Sequence, residues 1–146
     1  MDLAACRRVA ASYEVLAPRA DAMAEGFYRR LFEMSPQLRA LFPADMTIQR
    51  EHLAASVALV ARNIEHLDIL EESLMLLGAQ HVGFGARPEH YLKVREAMLE
   101  AIGSAIGAPW NDQLRADWYD ALSQICTIML KGAAMVAIEG VTRRAP

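Results

Sequence analysis

The sequence is poor in cysteine, in excess positive charge and in long apolar runs, and each shortage excludes a class of protein. Its two cysteines, Cys6 and Cys126, are far apart and form neither a Cys-x-x-Cys metal motif nor a Cys-x-x-Cys-His attachment sequence. The net charge of −3 excludes the basic surface that nucleic-acid binding needs. The longest stretch without a charged residue, Ser73 to Ala86, has fourteen residues, too few to span a bilayer. No basic residues precede an apolar block at the amino terminus, as they would in a secretory signal. We therefore expect a cytoplasmic protein with free thiols, without membrane insertion and without a nucleic-acid partner.

Alanine and other residues that favour helices are abundant. There are 26 alanines, and hydrophobic residues make up 54% of the chain, while β-branched residues show no sustained alternation. Apolar residues recur at helical spacing instead, with Thr47 as the expected cap of one helix and Gly140 as the expected end of the last. The sequence predicts one all-α domain over residues 1–146, with a helical body over residues 3–139 and a short tail over residues 140–146.

One histidine stands out because it ends an apolar helical face. Leu70, Leu74, Leu77 and His81 follow each other at intervals of four, three and four residues, which aligns them on one side of a helix. His81 could bind a metal through one ring nitrogen and donate from the other to a carbonyl one turn back, such as that of Leu77. A hydrogen-bonded core histidine is the alternative. No second ligand lies at a metal-binding spacing from His81, so a bare zinc or di-iron site is not expected. A single histidine suffices if a porphyrin supplies the other ligands.

Three segments together resemble one known family. The segment Ala79–Tyr91, which reads AQHVGFGARPEHY, resembles the surroundings of the haem-binding histidine in bacterial globins. The segment 27–42 resembles the second and third helices of these proteins, and Gln49–Leu67 resembles their distal helix. The similarity to single-domain bacterial haemoglobins and to the globin domain of flavohaemoglobins covers residues 3–138 in collinear order. It implies a globin fold of seven to eight helices around a haem b pocket.

The resemblance also implies roles for particular residues. His81 becomes the proximal iron ligand, Tyr28 and Gln49 the distal polar pair, and Leu53 the apolar distal wall. Phe42 becomes the ring that packs against the haem, and Tyr91 the tyrosine near the proximal histidine. O₂ on ferrous haem gains negative charge, so a hydrogen bond from the Tyr28 hydroxyl should stabilise it by about 1.5–3 kcal/mol. Gln49 could donate to the same ligand or orient the tyrosine.

His52 leaves three alternatives open. It follows Gln49 by three residues and projects from nearly the same side of the helix. A shifted register would put His52 over the iron, and the favoured register puts it at the edge of the pocket, where it could meet a haem propionate. It could also be a solvated surface histidine.

The sequence departs from the flavohaemoglobin pattern in two places. Those proteins carry a glutamate in the last helix that strengthens the proximal histidine, but the matching stretch, Lys131–Met135, has no acid, and Glu139 comes too late. Strongly peroxidase-like chemistry is therefore not expected. The chain also ends at Pro146 and contains no Gly-x-Gly-x-x-Gly sequence, so we expect no flavin- or nicotinamide-binding domain.

The resemblance implies a haem b globin that reversibly binds O₂, NO and CO. Such a protein could transport oxygen, or support nitric oxide dioxygenation with a separate reductase as partner. A gas or redox sensor or an oxygen reservoir without catalysis is one alternative, and a haem-free helical interaction module is the other. The sequence is compatible with a monomer or a homodimer.

Overall fold

The structure, a computed structural model, describes the backbone of residues 1–144 and the side chains of residues 1–136. The described residues form α-helices and 3₁₀ helices and contain no strand. The six α-helices are α1 (Leu3–Leu16), α2 (Ala20–Met34), α3 (Thr47–Arg62), α4 (Glu71–Gly83), α5 (His90–Ile106) and α6 (Asp112–Arg144). Three short 3₁₀ helices lie between them, at Ala17–Arg19, Pro36–Leu41 and Ile64–Leu70. The predicted all-α fold is confirmed. The described α-helices number six rather than seven or eight because the connecting segments wind as 3₁₀ turns.

The start of α3 differs from the prediction. Thr47 is already the first helical residue, and the residue before it, Met46, makes no capping side-chain bond. Asp45 takes over the capping role instead, because its Oδ1 accepts hydrogen bonds from the Thr47 backbone N–H at 3.0 Å and from the Thr47 hydroxyl at 2.7 Å. A carboxylate two residues earlier thus holds the helix start.

The last helix, α6, is 33 residues long and continues beyond the predicted end. Its start agrees with the sequence, since Asn111 Oδ1 accepts from the Leu114 N–H at 2.8 Å. The predicted end at Gly140 is wrong, because the helix runs on to Arg144. A glycine inside a helix costs only about 1 kcal/mol relative to alanine and does not by itself end it. Within the described residues, no helix has both the length and the apolar character needed to cross a membrane.

The core lies where α1, α2, α5 and α6 meet. Its largest fully buried side chains include Leu16, Met23, Ile102 and Trp118. The Trp118 indole donates to Ser12 Oγ at 2.9 Å, and Arg8 makes a two-pronged pair with Asp117 at 2.6 and 3.0 Å. Both contacts join α1 to α6, so α6 is anchored along its first half.

Two glycines let α4 and α6 pack with their backbones in contact. A methyl group added to Gly78 would overlap the backbone carbonyl of Met129, and one added to Gly132 would overlap that of Met75. The pairing of Met75 with Gly132 and of Gly78 with Met129 is an antiparallel register. One further turn along this register brings His81 level with Cys126.

Candidate functional site

One ring nitrogen of His81 forms a hydrogen bond within its helix, and the other is free to bind a metal. It is half-buried in the last turn of α4, and its Nδ1 lies 2.7 Å from the carbonyl oxygen of Leu77. A carbonyl can only accept, so Nδ1 carries a proton, and in the neutral ring the lone pair is on Nε2. The sequence predicted this bond to Leu77. The arrangement is the one that fixes a histidine as a metal ligand through Nε2.

Tyr28 and Gln49 are joined by a hydrogen bond. Tyr28 is buried on α2, and the Gln49 amide on α3 donates from Nε2 to the Tyr28 hydroxyl oxygen at 3.1 Å. Burial raises the pKa of Tyr28, and the bond from Gln49 offsets part of that rise. The hydroxyl therefore stays protonated at neutral pH. Because its oxygen accepts from Gln49, its own proton is available to a ligand.

Phe42 belongs to an aromatic group beside Tyr28. Its ring centroid lies 5.5 Å from that of Tyr28 and 5.4 Å from that of Phe32, both edge-on. Arg39 holds the segment that carries Phe42, since its guanidinium donates to the carbonyls of residues 42, 43 and 44 and lies 5.4 Å from the Phe32 ring. Phe42 itself is half-buried. One face of the group is thus available for a flat apolar ligand.

Leu53 and His52 differ in their surroundings although they are neighbours on α3. Leu53 is half-buried and packs against the hydrophobic core one turn after Gln49. His52 is exposed. The position of His52 at the surface agrees with the edge-of-pocket and solvated alternatives better than with a place over a buried metal.

Tyr91 is buried, with 8% of its surface exposed, yet its hydroxyl has no hydrogen-bond partner among the described residues. Burial also raises the pKa of Tyr91, so the phenol remains a donor. The Nδ1 of His81 is bonded to Leu77, and no bond joins it to Tyr91. Glu139, the nearest acid after the Lys131–Met135 stretch, lies outside the described side chains.

Half-buried apolar side chains come from the same elements as these polar groups and from α6. Beside Phe42 and Leu53, they include Leu77 on α4, Val94 on α5 and Ile125 on α6, all packed against the core. Leu41, next to Phe42, lies close to the segment that follows His81, because a methyl group on Gly85 would lie 3.0 Å from Leu41 Cδ2. No three His, Cys, Asp or Glu side chains of the described part form a metal-binding group. An aliphatic surround, one free imidazole nitrogen and a separate tyrosine donor fit a porphyrin.

The sequence interpretation missed a second group of polar residues near Tyr91. Arg95 lies one turn later on α5; its guanidinium stacks 4.3 Å from the Tyr119 ring, and Nη1 donates to Ser123 Oγ at 3.2 Å. The spacing of Tyr91 and Arg95, at i and i+4, was the available signal. The partners of Arg95 on α6 were not predictable without the α5–α6 register.

The family model and the related sequences that match this chain all point to the same family. The family model described as Globin matches residues 25–129. The chain is 31% identical over 124 residues to a flavohemoprotein of Rhizobium meliloti, which covers 83% of this chain and 31% of the relative. A flavohemoprotein of Xylella fastidiosa is 33% identical over 130 residues, with 87% and 32% covered. The chain thus spans about a third of the length of these relatives.

Solved structures share the fold over nearly their whole length. A bacterial globin from Campylobacter jejuni superposes with a TM-score of 0.83 at 20% identity, covering 93% of this chain and 99% of that one. An engineered carbene transferase, a candidate nitric oxide dioxygenase from Rhodothermus marinus, gives a TM-score of 0.87 at 24% identity, with 97% and 99% covered.

Proposed function

Because this chain belongs to the globin family, we propose that it would hold a haem b group through His81 and bind diatomic gases with the help of Tyr28 and Gln49. The observation that carries the proposal is the 2.7 Å contact between His81 Nδ1 and the Leu77 carbonyl. A ring fixed in this way presents Nε2 as a neutral nitrogen ligand without needing a carboxylate. Leu53, Phe42 and Leu77 would contact the porphyrin faces.

Tyr28 and Gln49 would act on the ligand side. The Tyr28 hydroxyl would donate to a bound diatomic molecule that carries partial negative charge, and Gln49 would hold the hydroxyl in place through its 3.1 Å bond. A hydrogen bond to a charged acceptor in a buried site is worth about 1.5–3 kcal/mol. This pair would favour O₂, which polarises on binding, over CO, which polarises little.

The chemistry we propose is binding of O₂, NO and CO, with conversion of NO and O₂ to nitrate as the reaction that follows. When bound, ferrous haem supplies the gas-binding position and the single electron that this conversion consumes. The chain's own residues would orient the ligand and keep the pocket apolar. Each turnover needs a new electron, so a separate reductase is the partner we propose. The relatives named flavohemoproteins motivate this step.

Hemin titration followed by absorption spectroscopy tests the proposal. Purified protein should take up one hemin per chain, and its reduced form should shift its spectrum with CO. His81→Ala should lose the axial bond and regain it with added imidazole. His66→Ala, which removes an exposed histidine, is the matched control, and His52→Ala tests the alternative ligand. Uptake of hemin by His81→Ala with an unchanged spectrum would show that the assignment is wrong.

A second measurement addresses the reaction. The reduced, oxygenated protein should consume about one equivalent of NO per haem and then stop, because nothing returns the iron to the ferrous state. Addition of a flavin reductase with NADH should restore consumption. If NO persists in the presence of the oxygenated protein, the function is confined to gas binding.

A further inference from the structure

Arg95 places a positive charge in the interface between α5 and α6. Its guanidinium lies over the Tyr119 ring at 4.3 Å and donates to Ser123 Oγ at 3.2 Å. Its Nε is buried and has no hydrogen-bond partner among the described residues. No carboxylate within residues 1–136 lies at ion-pair distance from it, whereas Arg115 and Lys131 on α6 each pair with a glutamate. The Arg95 charge is therefore not neutralised by any described side chain.

The Arg95 charge lies close to Tyr91 and Cys126. Tyr91 precedes Arg95 by one turn on α5, and Cys126 follows Ser123 by three residues on α6, so the four side chains share one interface. The Cys126 thiol is half-buried, and burial raises its pKa while the Arg95 charge lowers it. Tyr91 is 8% exposed, and its hydroxyl lacks a partner among the described residues. We call Tyr91, Arg95, Ser123 and Cys126 the Arg95 cluster.

The packing of α4 on α6 brings His81 to this cluster. Gly78 meets Met129 and Gly132 meets Met75 in an antiparallel register. His81 follows Gly78 by three residues and Cys126 precedes Met129 by three, so the two lie at the same level of the helix pair. The Arg95 cluster thus lies on α5 and α6 at the level of His81.

A fixed cation near a haem acts on its two oxidation states unequally. The ferric form carries one more positive charge than the ferrous form, so a cation repels it and favours reduction. A partly buried charge keeps much of this effect, because solvent and salt screen it less than they screen a surface charge. The effect is opposite to that of a carboxylate placed behind the proximal histidine.

We propose that Arg95 is a cation without an ion-pair partner that raises the reduction potential of haem bound at His81. The proposal rests on haem binding through His81. It makes the ferrous, gas-binding form the more persistent one and slows its oxidation in air.

Redox titration of the haem-loaded protein tests the proposal. Arg95→Met and Arg95→Gln should each shift the midpoint potential to lower values and speed autoxidation. Arg95→Lys, which keeps the charge, should remain near the wild-type potential. Arg115→Met removes a half-exposed cation from α6 and is the matched control, with a potential expected to stay unchanged.

The outcomes separate the two proposals. If the wild-type chain takes up no hemin, the proposed function fails before Arg95 is tested. If hemin binds and either neutral variant that folds keeps the wild-type potential, the role of Arg95 is wrong while the function stands. Circular dichroism shows whether each variant folds, and Gln retains a donor for Ser123, which protects the packing of α5 on α6.

Discussion

Replacing Tyr28 with phenylalanine should speed release of O₂ far more than any other single change on α2. The substitution keeps the buried ring and its edge-on contact with Phe42 at 5.5 Å, but removes the only hydroxyl held by Gln49 in the described structure. Loss of a hydrogen bond to a partially charged ligand costs about 1.5–3 kcal/mol, which corresponds to roughly a tenfold to hundredfold faster dissociation. Gln49→Leu leaves the hydroxyl in place but loses its anchor, a neutral bond worth about 0.5–1.5 kcal/mol.

The two substitutions should not be additive. Gln49 acts through Tyr28 in this geometry, so Gln49→Leu should change the rate much less in the Tyr28→Phe background than in the wild type. Stopped-flow displacement of O₂ by CO gives the four rates of the cycle. Dissociation of CO is the internal control, since CO develops little negative charge. Because burial raises the pKa of Tyr28, the O₂ rate should also be flat between about pH 6 and pH 9.

Two results would refute this reasoning. Equal O₂ release by wild type and Tyr28→Phe would mean that the hydroxyl does not reach the ligand. Fully additive effects of the two substitutions would mean that the 3.1 Å bond has no part in ligand retention and that Gln49 contacts the ligand independently.

Two stability predictions follow from the packing. Gly78→Ala should lower the free energy of unfolding, measured by urea denaturation, by about 1–3 kcal/mol, because the new methyl group would overlap the Met129 carbonyl. Gly83→Ala, with nothing within 4 Å of its added methyl, should leave it unchanged or raise it, and equal losses in both would contradict the close contact. The hydrogen bonds from Arg8 lower the pKa of Asp117 below its ordinary value of 3.8, so the carboxylate stabilises the fold above about pH 5 and this contribution is lost as the pH falls below 4. Asp117→Asn should therefore show a smaller loss of stability on acidification than wild type in pH-dependent urea unfolding, and an equal loss would show that the pair with Arg8 does not set the acid response.

Much of the candidate site could be predicted because its parts are local in sequence. Leu77 and His81 are four residues apart, so helical geometry alone brings the ring to the carbonyl, and the bond is present at 2.7 Å. The Tyr28 and Gln49 bond spans 21 residues and was expected from the family resemblance, not from periodicity. The all-α class followed from composition and spacing.

The predictions that were wrong concern helix boundaries, where the same local sequence is compatible with two structures. Thr47 has the side chain of a helix cap, but its hydroxyl donates to Asp45 Oδ1 instead of accepting from the next turn, and the same carboxylate oxygen accepts from the Thr47 backbone N–H. Gly140 resembles a helix end, yet glycine is tolerated inside a helix, and α6 continues to Arg144. Propensity gives the preference of one residue, whereas the boundary depends on which neighbour satisfies the free backbone groups.

The level of His81 against α6 could not be predicted, because nothing in the sequence distinguishes Gly78 and Gly132 from the other glycines in and near α4 and α6. Gly78 and Gly132 are in backbone contact with the opposite helix, while Gly83 has open space and Gly85 adopts a φ of +94°. The backbone contacts of Gly78 and Gly132 determine the register of α4 against α6. In this register Cys126, not Met129, lies level with the His81 imidazole. A shift of one turn would bring the methionine there and move Ser123 and Cys126, the neighbours of Arg95 on α6, away from the level of His81. The electrostatic role proposed for Arg95 therefore depends on the absence of side chains at Gly78 and Gly132, which lets α4 and α6 pack in this register.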